Sequence, residues 1–248
     1  MLNQQTIDKL KEMKLHGLAA AWSEQQSRAD FASLDFDERL GLLVDAEWMT
    51  RLNARLKRNL KEAHLKLSGA CLEDLDYDDR RGLDKSLIRL LATCQWVVKH
   101  ENIAITGMTG TGKTFLGCAF AQHALRRRYR AIYRRTSRLF DELALARADG
   151  TYARLLARLA RVDVLILDDW GMTPLTAAER RDMSELMEDR YGERSTILLS
   201  QRDPELWHDQ IGDPTTADAI CDRLLSNCHR LVLKGPSRRK PEGGPSQT

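Results

Sequence analysis

At 248 residues, with 42% apolar and 30% charged side chains, the chain has the length and composition of one α/β core plus a smaller appendage. A net charge of +3 excludes a uniformly basic polyanion binder, so any nucleic-acid surface must come from local clusters of cations. The start Met1-Leu2-Asn3-Gln4-Gln5 carries no basic segment followed by an apolar stretch, and no apolar run approaches a membrane span; a cytoplasmic chain with no membrane partner is expected.

Residues 3 to about 66 read as helical. Leu10, Met13, Leu15, Leu18, Ala21 and Trp22 form one apolar face, and Phe36, Leu40, Leu43, Val44, Trp48, Leu52, Leu56 and Leu60 another, with Ser68-Gly69 as the stop. The polar side of the second stretch carries Arg51, Arg55, Lys57, Arg58, Lys61 and Lys66. Of these, Arg51, Arg55, Arg58 and Lys61 recur three to four apart and share a helical face. Cations so spaced suit contacts to the phosphates of duplex DNA, although Glu47 and Glu62 flank them and a solvated face has the same pattern. Residues 72–84 are acidic and turn-rich, and helical periodicity resumes over 85–99.

Apolar strand-like runs at 103–106, 131–134, 162–167, 195–200 and 230–233 then alternate with helical segments, which implies a parallel sheet covered on both faces. The first run feeds Gly107-Met108-Thr109-Gly110-Thr111-Gly112-Lys113-Thr114, which fits G-x-x-x-x-G-K-[ST] without a mismatch. Its glycines allow successive backbone N–H groups to face one concavity that holds phosphate oxygens. Lys113 reaches the β- and γ-phosphates, Thr114 is placed to ligate Mg²⁺, and a helix from Phe115 to Arg128 sets its positive end against the same anion. ATP and Mg²⁺ are therefore the expected ligands.

Val164-Leu165-Ile166-Leu167 ends in Asp168-Asp169. In phosphate-loop enzymes the acid at such a strand end holds Mg²⁺ through water, which fits Asp168, and Asp169 is positioned to polarise the attacking water as general base. At the end of run 195–200, Gln201 is preferred over Ser200 as the polar group that orients water or meets the γ-phosphate. A second cationic cluster, Arg126-Arg127-Arg128 with Arg130, Arg134, Arg135 and Arg138, surrounds the second strand and is a further candidate for DNA contact; no aromatic residues alternate with it, so duplex backbone binding is expected rather than base stacking. Cys71, Cys94, Cys118, Cys221 and Cys228 form no C-x-x-C pair, which argues against a zinc ribbon or disulfide framework. Cys221 and Cys228, with His229 adjacent, suit small buried residues better than metal ligands.

The chain closely resembles the IstB family of insertion-sequence helper ATPases, within the helicase-loader group of AAA+ ATPases. The resemblance covers roughly residues 1–240. It rests on Leu167-Asp168-Asp169-Trp170-Gly171-Met172 with Pro174-Leu175, Glu188-Asp189-Arg190-Tyr191-Gly192, Ser195-Thr196-Ile197 with Ser200-Gln201, Trp207-His208, Ile211-Gly212-Asp213-Pro214-Thr215, Ala217-Asp218-Ala219-Ile220, Asp222-Arg223-Leu224 and Lys234-Gly235-Pro236-Ser237-Arg238-Arg239. It implies an α/β AAA+ core with a five-stranded parallel sheet of order 5-1-4-3-2, a small helical N-terminal domain and a short or absent C-terminal lid. It also implies ATP-bound homo-oligomers on duplex DNA that select target sites and stimulate a partner transposase, with ATP hydrolysis as the reset. Arg223 matches the arginine that meets the neighbouring subunit's γ-phosphate, with Arg190 in reserve; Arg238 or Arg239 is a weaker candidate for sensing nucleotide. Relatives often carry Glu where Asp169 stands, and the shorter side chain implies slow hydrolysis.

The expected organisation is a helical domain over 1–67 that binds DNA or a partner, a linker and lead-in helix over 68–101, the ATPase core over 102–235 and a flexible tail over 236–248. A DnaC-like replicative helicase loader and a nucleotide-gated DNA scaffold with little hydrolysis are the alternatives. A small-molecule kinase using the same loop lacks an evident lid or acceptor motif.

Overall fold

The computed structural model describes residues 2–77 and 81–237. The helical periodicity of the first stretch resolves into separate helices because the backbone turns left-handed at Lys14 (φ 58°) and extends at Arg28. Helix α1 is Leu2–Glu12, α2 is His16–Ser27, a 3-10 turn spans Ala29–Ser33, and α3 is Phe36–Ala63. The chain divides into two compact units, Met1–Arg58 and Asn59–Thr248. In the first unit the buried Glu47 carboxylate accepts the N–H groups of Gly17 (2.8 Å) and Leu18 (3.1 Å), satisfying donors that the first turn of α2 leaves open. Arg51 pairs with the same carboxylate at 2.6 Å and holds it below the usual carboxylate range. Any Cβ on Gly17 would run into Thr50 and the Ala46 carbonyl, so glycine permits the close approach of α2 to α3.

Helix α3 ends at Ala63, earlier than the Ser68-Gly69 stop, because His64 adopts a left-handed conformation (φ 50°). In the second unit, Asp84 caps α4 (Lys85–Ala92) by accepting from the N–H groups of Ser86 and Leu87, and left-handed Cys94 (φ 59°) separates it from the short α5 (Gln95–Val98). Strands and helices then alternate: β1 (Asn102–Gly107), α6 (Lys113–Arg126), β2 (Ala131–Arg135), α7 (Thr136–Ala148), α8 (Tyr152–Arg161), β3 (Val164–Trp170), α9 (Ala177–Arg190) and β4 (Ser195–Ser200). A 3-10 turn at Pro204–Leu206 leads into α10 (Trp207–Ile211), α11 (Pro214–Leu225) and β5 (Cys228–Leu233).

The five strands form one parallel sheet in the order β2-β3-β4-β1-β5, the expected arrangement. Ile103, Ile105, Leu165, Ile166, Leu167, Ile197, Leu198 and Leu199 are fully buried, as continuous apolar strands must be when helices cover both faces. One irregularity matters for function. Asp168 pairs opposite Leu199 and Trp170 opposite Ser200, leaving Asp169 as an extra, bulged residue at φ 59°. Such a bulge re-aims a side chain out of the strand's alternation.

Candidate nucleotide-binding site

The carboxyl ends of β1, β3 and β4 lie side by side, and beyond them opens a cleft of about 510 Å³, within the usual size range of ligand pockets. The loop after β1 supplies Thr109, Gly110, Gly112, Lys113, Thr114 and Phe115 to its walls; β3 supplies Asp168 and Asp169, and the end of β4 supplies Gln201. Gly107, Gly110 and Gly112 all have positive φ (145°, 86° and 99°), the backbone pattern that turns successive N–H groups toward one anion. Met108 of the same loop is exposed, and Thr111 is buried, its hydroxyl donating to the Met108 carbonyl at 2.8 Å. The Lys113 ammonium donates to the carbonyls of Gly107 (2.6 Å) and Met108 (2.9 Å), at the base of the loop where phosphates would lie.

Asp168 is buried and surrounded by donors. Its Oδ2 accepts the Thr114 hydroxyl at 3.0 Å and the Tyr133 hydroxyl at 2.6 Å, and its Oδ1 accepts the Asp169 N–H at 2.9 Å. The hydroxyl of Thr114 and the carboxylate of Asp168 are hard oxygen donors in direct contact, a set that fits Mg²⁺. Asp169 takes a different path. The bulge turns it toward Arg135, whose Nε (2.8 Å) and Nη2 (2.7 Å) both meet its Oδ2 oxygen. Gln201 accepts the Thr109 hydroxyl at 2.5 Å and so spans from the β4 tip to the phosphate loop.

Residues that sequence reading placed elsewhere also line this cleft. Lys66, expected to widen the basic face of α3, stands beyond the end of that helix and brings its ammonium to 3.9 Å from Asp168 Oδ2. The correction follows from the left-handed turn at His64, which takes residue 66 off the helical face. Leu67, at the end of the stretch read as the helical domain, and Asp74, Asp76 and Arg81, from the stretch read as linker, complete the wall. Buried Arg81 donates to the carbonyls of Asp76 (2.6 Å) and Thr111 (3.4 Å), tying that stretch to the phosphate loop. No periodicity marks these positions, because their role comes from contact with a loop distant in sequence.

Arg223 lies at the other end of the sheet. It lines a separate cleft of about 160 Å³ with His100, Tyr191 and Arg194, and its carbonyl accepts from Asn102 at the start of β1. Its guanidinium pairs with Glu188. Arg190, the reserve candidate for an intersubunit arginine, is 2% exposed. It donates to the carbonyls of Leu159, Ala160, Val162 and Ser195 and to the Thr196 hydroxyl, and burial pulls its pKa down to about 9. A guanidinium so enclosed cannot reach another subunit, so the reserve reading is corrected: Arg190 cements α8, α9 and β4.

Several of the arginines around β2 are held by separate partners. Arg126 pairs with Glu73, Arg127 donates to the Thr93 carbonyl, and Arg130 donates to the Arg161 carbonyl. Arg134 is largely covered and paired with Glu142 at 2.9 Å, Arg135 belongs to the nucleotide cleft, and Arg138 is exposed. On α3, Arg51 pairs with Glu47, whereas Arg55, Arg58 and Lys61 are exposed. Arg238 and Arg239, with the rest of the expected tail from 238 onward, fall outside the described residues. Cys221 and Cys228 pack against the apolar core, and burial pushes the Cys228 thiol up to about 12; among the described residues no group of three potential ligands could hold a metal ion. Nor is any described helix long and apolar enough to cross a membrane.

A five-stranded parallel sheet of this order, a glycine-rich loop entering a helix and an aspartate at the tip of β3 define a phosphate-loop nucleotide-binding core. Solved structures share that fold: the crystal structure of DnaI (TM-score 0.58, 22% identity, 69% of this chain and 91% of that one) and that of the DnaC helicase loader (TM-score 0.52, 22% identity, 61% and 92%). The profile of IstB-like ATP binding proteins matches residues 8–243, and the chain belongs to that family. It is 47% identical over 240 residues to the insertion sequence ATP-binding protein y4pL of Sinorhizobium fredii, covering 97% of this chain and 98% of that one. It is 48% identical over 201 residues to the insertion sequence IS1162 ATP-binding protein of Pseudomonas fluorescens, covering 81% and 87%.

Proposed function

We propose that the chain is the ATP-dependent, DNA-binding helper of a transposase: it assembles on duplex DNA as an ATP-bound homo-oligomer, selects target DNA and stimulates the partner transposase, and hydrolysis of ATP to ADP and phosphate resets the assembly. The observation that carries the oligomeric reading is the position of Arg223. It sits beside Asn102, at the amino end of β1, while the phosphate loop starts at Gly107, the other end of the same strand. At about 3.3 Å per residue the two ends are roughly 17 Å apart, too far for Arg223 to serve its own cleft. The cleft of one subunit and the Arg223 edge of the next together make a complete site.

In that site the loop N–H groups and Lys113 hold the phosphates, and Gln201 orients the γ-phosphate or the attacking water. Thr114 and Asp168 would hold Mg²⁺, which when bound would supply charge to offset that of the β- and γ-phosphates. Asp169 accepts the proton of the attacking water, and Arg223 from the neighbour neutralises charge that develops during transfer. The hold of two Arg135 nitrogens on Asp169 Oδ2 supports slow turnover, because the base must leave that pair to act. Exposed Arg55, Arg58, Lys61 and Arg138 support contact with the duplex backbone. The relatives named as insertion sequence ATP-binding proteins support the link to transposition.

Electron microscopy of the protein with duplex DNA and a non-hydrolysable ATP analogue tests the reading. Assemblies on DNA with Arg223 facing a neighbour's cleft are expected. Lys113→Ala should abolish nucleotide-dependent assembly, whereas Asp169→Asn should assemble and hydrolyse more slowly. A protein that stays monomeric with ATP and Mg²⁺ and ignores duplex DNA refutes it. The likeness to the DnaC loader fold favours a second reading, helicase loading, which capture of a replicative helicase by the purified protein would reveal.

A further inference from the structure

Asp168 is held by a residue that the proposed reaction does not use. Tyr133 lies on β2, pairs with Ile166 of β3, and sends its hydroxyl to Asp168 Oδ2 at 2.6 Å, shorter than the 3.0 Å bond from Thr114 to the same oxygen. Tyr133 is buried, so its hydroxyl is held against the carboxylate with little access to solvent. A hydroxyl bonded to a carboxylate at this distance belongs to the stronger, charge-assisted class of hydrogen bonds. The backbone cannot do this work alone, because the bulge at Asp169 interrupts the β3–β4 ladder immediately after Asp168. Lys66 faces the same oxygen at 3.9 Å but is exposed, so the fixed, buried anchor is the phenol.

We infer that Tyr133 is a positioning residue for the divalent cation of the bound nucleotide. By fixing Asp168 Oδ2, it keeps the acceptor where the Thr114 hydroxyl donates its proton, which leaves the lone pairs of Thr114 for the cation. It also stops the carboxylate from rotating away from the hydrated ion. The inference rests on the reading that Thr114 and Asp168 hold Mg²⁺. Partners that orient a ligating carboxylate contribute about ten- to a hundred-fold to metal affinity, and Tyr133 should lie at the lower end because Thr114 and the Asp169 N–H remain.

The test compares wild type, Tyr133→Phe and Asp168→Asn, with Mn²⁺ as probe. Mn²⁺ binding to the ADP complex is followed by electron paramagnetic resonance, and ADP binding in EDTA by calorimetry. Tyr133→Phe should weaken Mn²⁺ binding about ten-fold while metal-free ADP affinity stays within about two-fold of wild type. The Mg²⁺ concentration that half-saturates ATP hydrolysis should rise in parallel, with a much smaller change in rate at saturating Mg²⁺. If Asp168→Asn loses Mn²⁺ but Tyr133→Phe binds it like wild type, the role of Tyr133 is overturned and the cation site stands. Wild-type Mn²⁺ affinity in Asp168→Asn overturns both. A parallel loss of metal-free ADP binding in Tyr133→Phe would show a merely structural role and overturn the inference.

Discussion

Replacing Arg190 by Met separates a structural arginine from a catalytic one. The guanidinium is enclosed by the carbonyls of Leu159 (2.7 Å), Ala160 (3.2 Å), Val162 (2.9 Å) and Ser195 and by the Thr196 hydroxyl (3.2 Å). The carbonyls of Leu159 and Ala160 belong to the last turn of α8, where helix geometry leaves them without an intrahelical donor. Methionine fills much of the volume but strands these acceptors in a buried site. Each stranded buried acceptor costs about 1–3 kcal/mol, so the loss should total on the order of 3–5 kcal/mol after relaxation, a large part of the ~5–15 kcal/mol that holds a domain folded. At roughly 2–4 °C per kcal/mol for a unit of this size, Tm should fall by about 6–20 °C. Arg190→Lys should fall between, since one ammonium cannot serve so wide a fork. Arg223→Ala removes a pair with Glu188, whose side chain is 65% exposed, and should cost about 0–1 kcal/mol while abolishing assembly-dependent hydrolysis. Thermal and urea unfolding beside phosphate release would decide. An Arg190→Met protein that unfolds like wild type but has lost assembly-dependent hydrolysis would refute the reasoning.

The Arg135–Asp169 pair should restrain the base. Its members are about half and one-third exposed, so the pair is worth about 1 kcal/mol after screening, and Arg135→Ala should raise phosphate release without DNA by roughly three- to five-fold. A rate at or below wild type would remove the restraint from the account. Arg126 holds the Glu73 carboxyl down at about 2. Because that folded value lies below the ordinary one of about 4.5, the pairing stabilises the fold above pH ~4.5 and is lost as pH falls toward 2. Carboxyl NMR should therefore place the Glu73 midpoint near 2 and return it to the ordinary range in Arg126→Ala; equal midpoints would contradict the pairing.

The nucleotide cleft was partly readable because much of it is contiguous. Gly107 to Thr114 act through consecutive backbone N–H groups and adjacent side chains, so residue types at fixed spacing suffice to specify them. Asp168 was readable because a fully apolar strand ends there, and the sheet order came with the resemblance. The arginine clusters were less readable: spacing shows which cations share a helix or strand, not that Arg134 folds onto Glu142 or that Arg135 turns to Asp169. Arg190 and Arg223 look alike in sequence, and only burial separates them.

The sequence by itself determined that this chain makes a phosphate loop, an acidic strand tip and an alternating α/β core. Tertiary structure alone decided that Tyr133 anchors Asp168, that Lys66 and Arg81 wall the cleft, and that Asp169 leaves the strand to meet Arg135. The reason is physical. A loop that binds through its own backbone carries its specification locally, whereas a contact across strands depends on register, a one-residue bulge and a single left-handed turn, none of which leaves a periodic mark in the residues that make it.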